Sequence, residues 1–230
     1  MPKAKKKAKV APRKPAKKKP TRPAARAKAA PPKKVAAKAG KPARAVARPA
    51  PKAAKAGKAT GVDDHPAYKR LVERLKPGRY AGGMLLITVP GAHDEEMAAW
   101  LMGRTDGRRS LGRTAFGDIV VFRDLSARAR ELGLPGAESA CDVAIVDVHH
   151  KKMTMLAESV DELLDRMNHV DWQRAYLRRD MYLEARKRIG DYKDDECYGF
   201  ALALALGGSE DADSVRRFNW PVHQDILLQT

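Results

Sequence analysis

An α+β body preceded by a polycationic arm is the architecture this sequence predicts, and three observations predict it. Beyond residue 60, apolar runs of strand length lie beside apolar stripes at helical spacing. They lack the regular βα alternation of a parallel doubly wound sheet, so a mixed or antiparallel sheet packed with helices is expected. Pro77-Gly78, Pro90-Gly91 and Pro135-Gly136 punctuate the runs as turns. The charges are segregated as well. Residues 1–60 hold 22 of the 46 Lys and Arg and none of the 28 Asp and Glu, so the net charge of +18 divides into an arm of +22 and a body of −4.

The elements of the body follow in order. His65 to Leu75 carries Tyr68, Leu71, Val72 and Leu75 at helical spacing, and Pro77-Gly78 stops it. Gly78 to Gly83 is glycine-rich but precedes a strand, the reverse of a phosphate-binding loop, and reads as a turn. Met84 to Val89 is an apolar strand. Asp94 to Met102 returns to helical spacing through Met97, Trp100 and Leu101. Gly103 to Arg113 is polar and basic and is expected to be an exposed loop; Arg104, Arg108, Arg109 and Arg113 could there extend the arm's contacts. Phe116 to Phe122 and Val143 to Val148 are β-branched runs, apolar on both faces, as in the middle of a sheet. Met153 to Leu156 is placed to pair with the second run through a turn at His150 to Lys152.

Ser159 and Glu162 have the spacing of a capping box, followed by Val160, Leu163, Leu164 and Met167 on one helical face. Asp171 is positioned to cap a longer helix through Ile189, with Arg178, Arg179, Arg186 and Lys187 on its outside. Tyr198 to Leu206 fits a strand or a helix. Val215 to Gln229 closes the chain, broken at Pro221.

Composition excludes several classes. Two cysteines 56 positions apart, with no CxxC, exclude a disulfide scaffold and the common cysteine-rich zinc modules. Uncharged runs such as Cys197–Ser209 are far short of the roughly 18 apolar residues of a membrane span. No apolar core follows the basic N-terminus, so no secretory signal is read and a cytoplasmic setting is expected.

Residues 1–60 contain 20 Ala and 10 Pro besides the 22 cations, and no aromatic residue. Such a segment buries too little apolar surface to offset the entropy of ordering, and disorder is expected. The Lys-rich pieces Lys5, Lys6, Lys7; Lys17, Lys18, Lys19; and Lys33, Lys34 recur without a fixed period. The arm is similar to the Lys/Ala/Pro tails of linker histones and bacterial histone-like proteins. A polycation of this kind binds DNA or RNA through counterion release, without reading sequence. The plainer alternative is a solubilising tail.

The body offers few chemical constellations. Asp147, His149 and His150 could begin a metal site, but no second ligand segment accompanies them, and they read as a polar strand end. No metal or cofactor is expected. Cys141 and Cys197 have acidic neighbours, which disfavour a thiolate, so both read as structural. Trp100, Trp172 and Trp220 lie on apolar stripes and read as core. Asp191, Asp194, Asp195 and Glu196 form one acidic loop, and Glu210, Asp211 and Asp213 form a second. They could mimic nucleic-acid phosphate toward a basic partner, or be solvated loops. No acid/base or nucleophile set assembles, so catalysis is not expected.

Two stretches together carry a family resemblance. The first is Thr114–Phe122, followed by a strand pair and the Ser159–Met167 helix. The second is Asp195–Phe200, Ala201–Gly208 and His223–Gln229. Their order resembles the C-terminal domain of the type VI secretion DNase-immunity family, over about 114–229. Residues 61–113 fall where a GAD-like domain precedes that domain. The resemblance implies a bacterial α+β protein that binds a nuclease toxin and blocks it by protein–protein contact. A second reading makes the arm the main functional part of a nucleoid- or RNA-associated protein.

Overall fold

The computed structural model describes residues 61–230. The expected disordered arm, with its Lys5–Lys7, Lys17–Lys19 and Lys33–Lys34 clusters, lies outside the described residues. Six strands form one antiparallel sheet in chain order: β1 (Gly78–Tyr80), β2 (Leu85–Ile87), β3 (Arg108–Thr114), β4 (Ile119–Asp124), β5 (Cys141–Asp147) and β6 (Lys152–Ala157). A separate antiparallel ribbon joins β7 (Glu196–Phe200) to β8 (Val215–Asn219). Seven α-helices surround them: α1 (Pro66–Arg74), α2 (Asp94–Trp100), α3 (Ser126–Glu131), α4 (Val160–Arg166), α5 (Val170–Leu177), α6 (Arg179–Ile189) and α7 (Trp220–Leu228). The fold is α+β, as expected.

The consecutive apolar residues of β4 are explained by burial on both faces. Val120 and Phe122 join the main core with Tyr68, Leu71, Phe116, Leu163 and Tyr182. Ile119 and Val121 face a smaller core with Met97, Val146, Cys197 and Trp220. Residue 113 lies inside β3, so one sheet runs through the point at which the resemblance begins. The ribbon is tied to that sheet where the Tyr198 amide donates to the Ala115 carbonyl at 2.8 Å.

Four local expectations are corrected. The supposed loop Gly103–Arg113 contains most of β3, and Ser110 to Thr114 is buried. Its polar letters are satisfied internally: the Ser110 amide donates to Asp94 Oδ1 at 2.8 Å. Gly112 lets β3 approach β2 closely, because a Cβ there would lie 2.2 Å from the Leu86 carbonyl oxygen. Second, Phe116 to Asp118 is a turn, and the strand begins at Ile119; the Thr114 hydroxyl accepts from the Phe116 and Asp118 amides at 3.2 and 3.1 Å. Third, the long helix expected from Asp171 is two helices broken at Arg178, and the N-cap position of α5 is His169. Fourth, Pro221 opens α7 instead of interrupting it, where its missing N–H costs nothing. The Ser159 cap is formed as read: its hydroxyl accepts from the Glu162 amide at 3.1 Å.

Candidate partner-binding surface

Arg178 organises the most elaborate polar cluster in the body. It sits between α5 and α6 with φ +50°, a left-handed conformation that costs a non-glycine residue energy. The kink turns its side chain inward, so the guanidinium expected on the outside of a long helix is only 14% exposed. Nη1 donates to Asp118 at 2.8 Å, Nη2 to both oxygens of Asp147 at 3.2 Å, and Nε to Glu210 at 2.9 Å. Three carboxylates from three separate segments therefore converge on one cation.

Each carboxylate is anchored in turn. Asp118, fully buried, accepts from the Val148 amide at 3.2 Å and from the Thr114 hydroxyl at 3.0 Å. Asp147 accepts from the His149 and His150 amides and bonds the His150 ring at 2.8 Å. Burial alone would lower the Arg178 pKa, but Asp118, Asp147 and Glu210 outweigh it and raise it, so the cation is permanent. Burial likewise pushes the Asp147 pKa up, and Arg178 with the His150 bonds brings it below the usual carboxylate range. A hollow of about 380 Å³ opens beside the cluster, walled by Thr154, Arg174 and Tyr176.

The metal reading of Asp147, His149 and His150 meets a different arrangement. His149 is buried, its Nε2 lies 2.8 Å from the Phe116 carbonyl, and burial lowers its pKa. His150 turns to Asp147 and Glu210 instead. Among the described residues, no group of three or more His, Cys, Asp or Glu has metal-binding geometry. The Cys197 thiol is buried and pushed up to about 12, chiefly by burial, and the Cys141 thiol is raised for the same first reason. Neither is a ready thiolate at neutral pH.

The two acidic loops leave from opposite ends of the ribbon. β7 begins at Glu196 opposite Asn219 and ends at Phe200 opposite Val215, so Asp191–Asp195 precede one end and Glu210–Asp213 lie at the other. In the first loop Asp191 pairs with Arg186 at 2.5 Å and Asp194 with Arg79 at 2.7 Å. Asp195 gives its carbonyl to the Trp220 amide, and Glu196 accepts from the Lys193 amide at 2.9 Å. In the second, Glu210 belongs to the Arg178 cluster, and Asp211 caps the short turn Ala212–Ser214 by accepting from the Ser214 amide at 2.8 Å. Asp213 is exposed, and its carboxylate makes no ion pair among the described residues.

The segment before Glu210 completes this end of the ribbon. Ala201 to Gly208 folds into a tight loop: the Leu206 and Gly208 amides donate to the Ala203 carbonyl at 2.9 and 3.1 Å, and the Gly207 amide to Leu204 at 3.0 Å. Gly208 is required, since a Cβ there would lie 1.9 Å from the Leu202 carbonyl oxygen. Leu204 packs on the main core, while Leu202 and Leu206 are 50% and 56% exposed. The sequence places Arg178 on the outside of a helix and does not single out Asp118. Leu177-Arg178-Arg179 contains no glycine to announce a left-handed break, and Asp118 looks like an ordinary turn residue.

Comparison with known proteins places this region. Residues 157–230 match the model of the family described as T6SS immunity protein Tdi1, C-terminal. No curated protein matches. Among solved structures, the crystal structure of Atu4351 from Agrobacterium tumefaciens is similar, with TM-score 0.51 and 17% identity over 71% of this chain and 74% of that one. At that identity the likeness is one of fold. The ribbon, α6, Arg178 and both acidic loops all lie within residues 157–230, the segment that matches the model of the type VI secretion immunity protein Tdi1, C-terminal.

Proposed function

We propose that this chain is an immunity-type inhibitor, a non-enzymatic protein that binds a nuclease toxin and occludes it by protein–protein contact. The observation that carries this reading is the match of residues 157–230 to a type VI immunity family. The chemistry of the body agrees with it. The guanidinium and carboxylates around Arg178 are spent on one another, and the two thiols are held protonated. Such groups hold surfaces in place; they do not move protons or attack bonds. Exposed acidic side chains suit a partner whose own task is to grip a polyanion. The site of action is the cytoplasm, where a nuclease meets DNA.

Co-expression tests it. Type VI DNase effectors from the same genome are produced in a bacterial host with and without the full chain. Survival and intact DNA in the presence of the chain, with one effector, is the expected result. Equal killing by every effector overturns the reading.

The arm supports an accompanying activity, since 22 cations without an acidic residue associate with DNA or RNA irrespective of sequence. In the alternative reading, of a nucleoid- or RNA-associated protein, this is the main function. Full-length protein should then bind duplex DNA with an affinity that falls about 10³-fold or more between 50 and 200 mM salt. Deletion of 1–60 should abolish that binding. Protection from the effector by the deleted chain would leave the arm an accessory.

A further inference from the structure

We propose that β6, the free edge of the main sheet, receives an extended segment of a protein partner as an added antiparallel strand. The segment seats an apolar side chain against Met102, Met153 and Leu228, and two residues later a carboxylate at Lys151 and Lys152. This goes beyond the immunity reading and does not depend on it. β6 is the last of the six strands. Among the described residues its backbone bonds only to β5, except that the Leu156 carbonyl accepts from the Trp172 indole at 3.2 Å. Trp172 thus ends the open stretch, and the outer backbone groups of Lys152–Met155 meet no protein partner among the described residues. An edge of this kind pairs with an incoming strand through main-chain hydrogen bonds.

A hollow flanks the edge on each face. Thr154 pairs with Ile145, and both wall the hollow of about 380 Å³ beside Arg178. Met153 pairs with Val146, and both wall a second hollow of about 370 Å³ on the opposite face, completed by Trp100, Met102 and Leu228. Successive side chains of an added strand point to opposite faces, so neighbouring residues enter different hollows.

The lining of the two hollows identifies the occupant. In the first, the carboxylates of Asp118, Asp147 and Glu210 stand against Arg174, Arg178 and Lys152, a balance that suits an uncharged polar side chain. The second is apolar, and the charged residues in its wall are two cations, Lys151 and Lys152. Lys151 is exposed and makes no ion pair among the described residues, and Lys152 reaches Asp147 only at 4.0 Å. Met102 is 88% exposed, and both Met102 and Lys151 hold φ +52°, a conformation that costs a non-glycine residue energy. A strand on this edge therefore offers an apolar side chain to the wall and, on the same face, a carboxylate to the lysines. Lys151 and Lys152 stand at the start of β6, so an antiparallel segment presents the apolar residue first and the acid second.

The test titrates the blocked peptide acetyl-Thr-Leu-Thr-Glu-Thr-amide into the isotope-labelled full chain, followed by NMR. Saturable shifts at Met102, Lys152–Met155 and Leu228 are expected, with a Kd of about 1 mM or tighter and slowed amide exchange along Lys152–Met155. A peptide of the same composition with Leu and Glu adjacent offers the arm the same charge but sends the two side chains to opposite faces. It should bind at least about 10-fold more weakly. Met102→Asp should weaken the first peptide by about 10-fold. Lys151→Glu should weaken it several-fold, and a peptide with Lys in place of Glu should recover that loss. Thermal unfolding should be the same for both variants and the wild type. Absence of saturable binding, or equal binding of the two peptides, overturns the inference and leaves Lys151 and Lys152 as guards against edge pairing. Decanoate that shifts Met102 and Leu228 while no peptide slows exchange at the edge would give the second hollow to an apolar acid and overturn strand addition. A dimer of the chain alone that Met102→Asp dissolves in sedimentation would give the edge to a second copy and overturn it too. None of these outcomes alters the immunity reading, which co-expression tests separately.

Discussion

Two buried arginines, Arg178 and Arg113, have opposite surroundings. Arg178 is met by Asp118, Asp147 and Glu210. Arg113, 1% exposed, has no carboxylate within ion-pair distance among the described residues; its Nη2 donates to the Asp194 carbonyl at 2.7 Å, and its Nη1 has no hydrogen-bond partner among them. It lies instead near the faces of Tyr192 and Trp220, at 5.7 and 5.3 Å. The pKa of Arg178 is accordingly raised, whereas burial lowers that of Arg113. One cation is an organiser whose removal strands three anions. The other is carried at a cost by a packed aromatic site. Burial of a charge is therefore poor evidence of its importance; the number of counter-charges it holds is better evidence.

The largest test of this contrast is Arg178→Ala. Leaving buried Asp118 and Asp147 without their cation should cost about 3–5 kcal/mol of stability, read as a fall in the denaturant midpoint. A midpoint unchanged from wild type would break the comparison.

Acid provides the next largest effect, and it sharpens the contrast through the histidines. His223, buried against His149 and stacked on Phe218 at 4.5 Å, is lowered to about 4, chiefly by burial. His93, 4.4 Å from Trp220, is lowered to about 4 by burial and then by the Arg113 charge. A base whose folded pKa is depressed remains neutral while the unfolded chain takes up the proton. Stability is thus full above about pH 6.5 and declines as pH falls toward 4. The His223 contribution alone should be about 3 kcal/mol, and denaturant titrations between pH 7 and 4 measure it. A flat profile would show that these rings are hydrated.

Arg113→Met should have the smallest effect on stability, within about 1 kcal/mol of wild type, because the lost hydrogen bond is offset by relief of a desolvated charge. The variant should also raise the His93 pKa, followed by the ring proton shifts in NMR. A loss as large as that of Arg178→Ala would remove the distinction between the two sites.

Much of the scaffold was legible in the residues themselves. The Ser159 cap, the β5–β6 hairpin and the both-face burial of β4 depend on spacing within a few residues, and local spacing is what a sequence displays directly. The failures share one cause. Gly103–Arg113 looked like a solvated loop because Ser110 and Arg113 are polar, yet their partners Asp94 and Asp194 lie 16 and 81 positions away. Arg178 looked like a helix-surface cation, and its partners lie 31, 32 and 60 positions away. Polarity was read correctly, but the distant groups that compensate it were invisible.

The candidate surface divides in the same way. Its acidic composition and the leucine alternation of Ala201–Gly208 stand in the one-dimensional chain. The assignment of each carboxylate to a task does not. Pairing of β7 with β8 sends the two acidic loops to opposite ends of a ribbon, and the left-handed turn at Arg178 pairs that guanidinium with Glu210 while Asp213 makes no ion pair among the described residues. Charge segregation, helix caps and strand periodicity follow from neighbours along the chain, so residue order alone determines them. Which charges neutralise one another, and which remain for a partner, depends on distances that exist only once the sheet, ribbon and helices have packed.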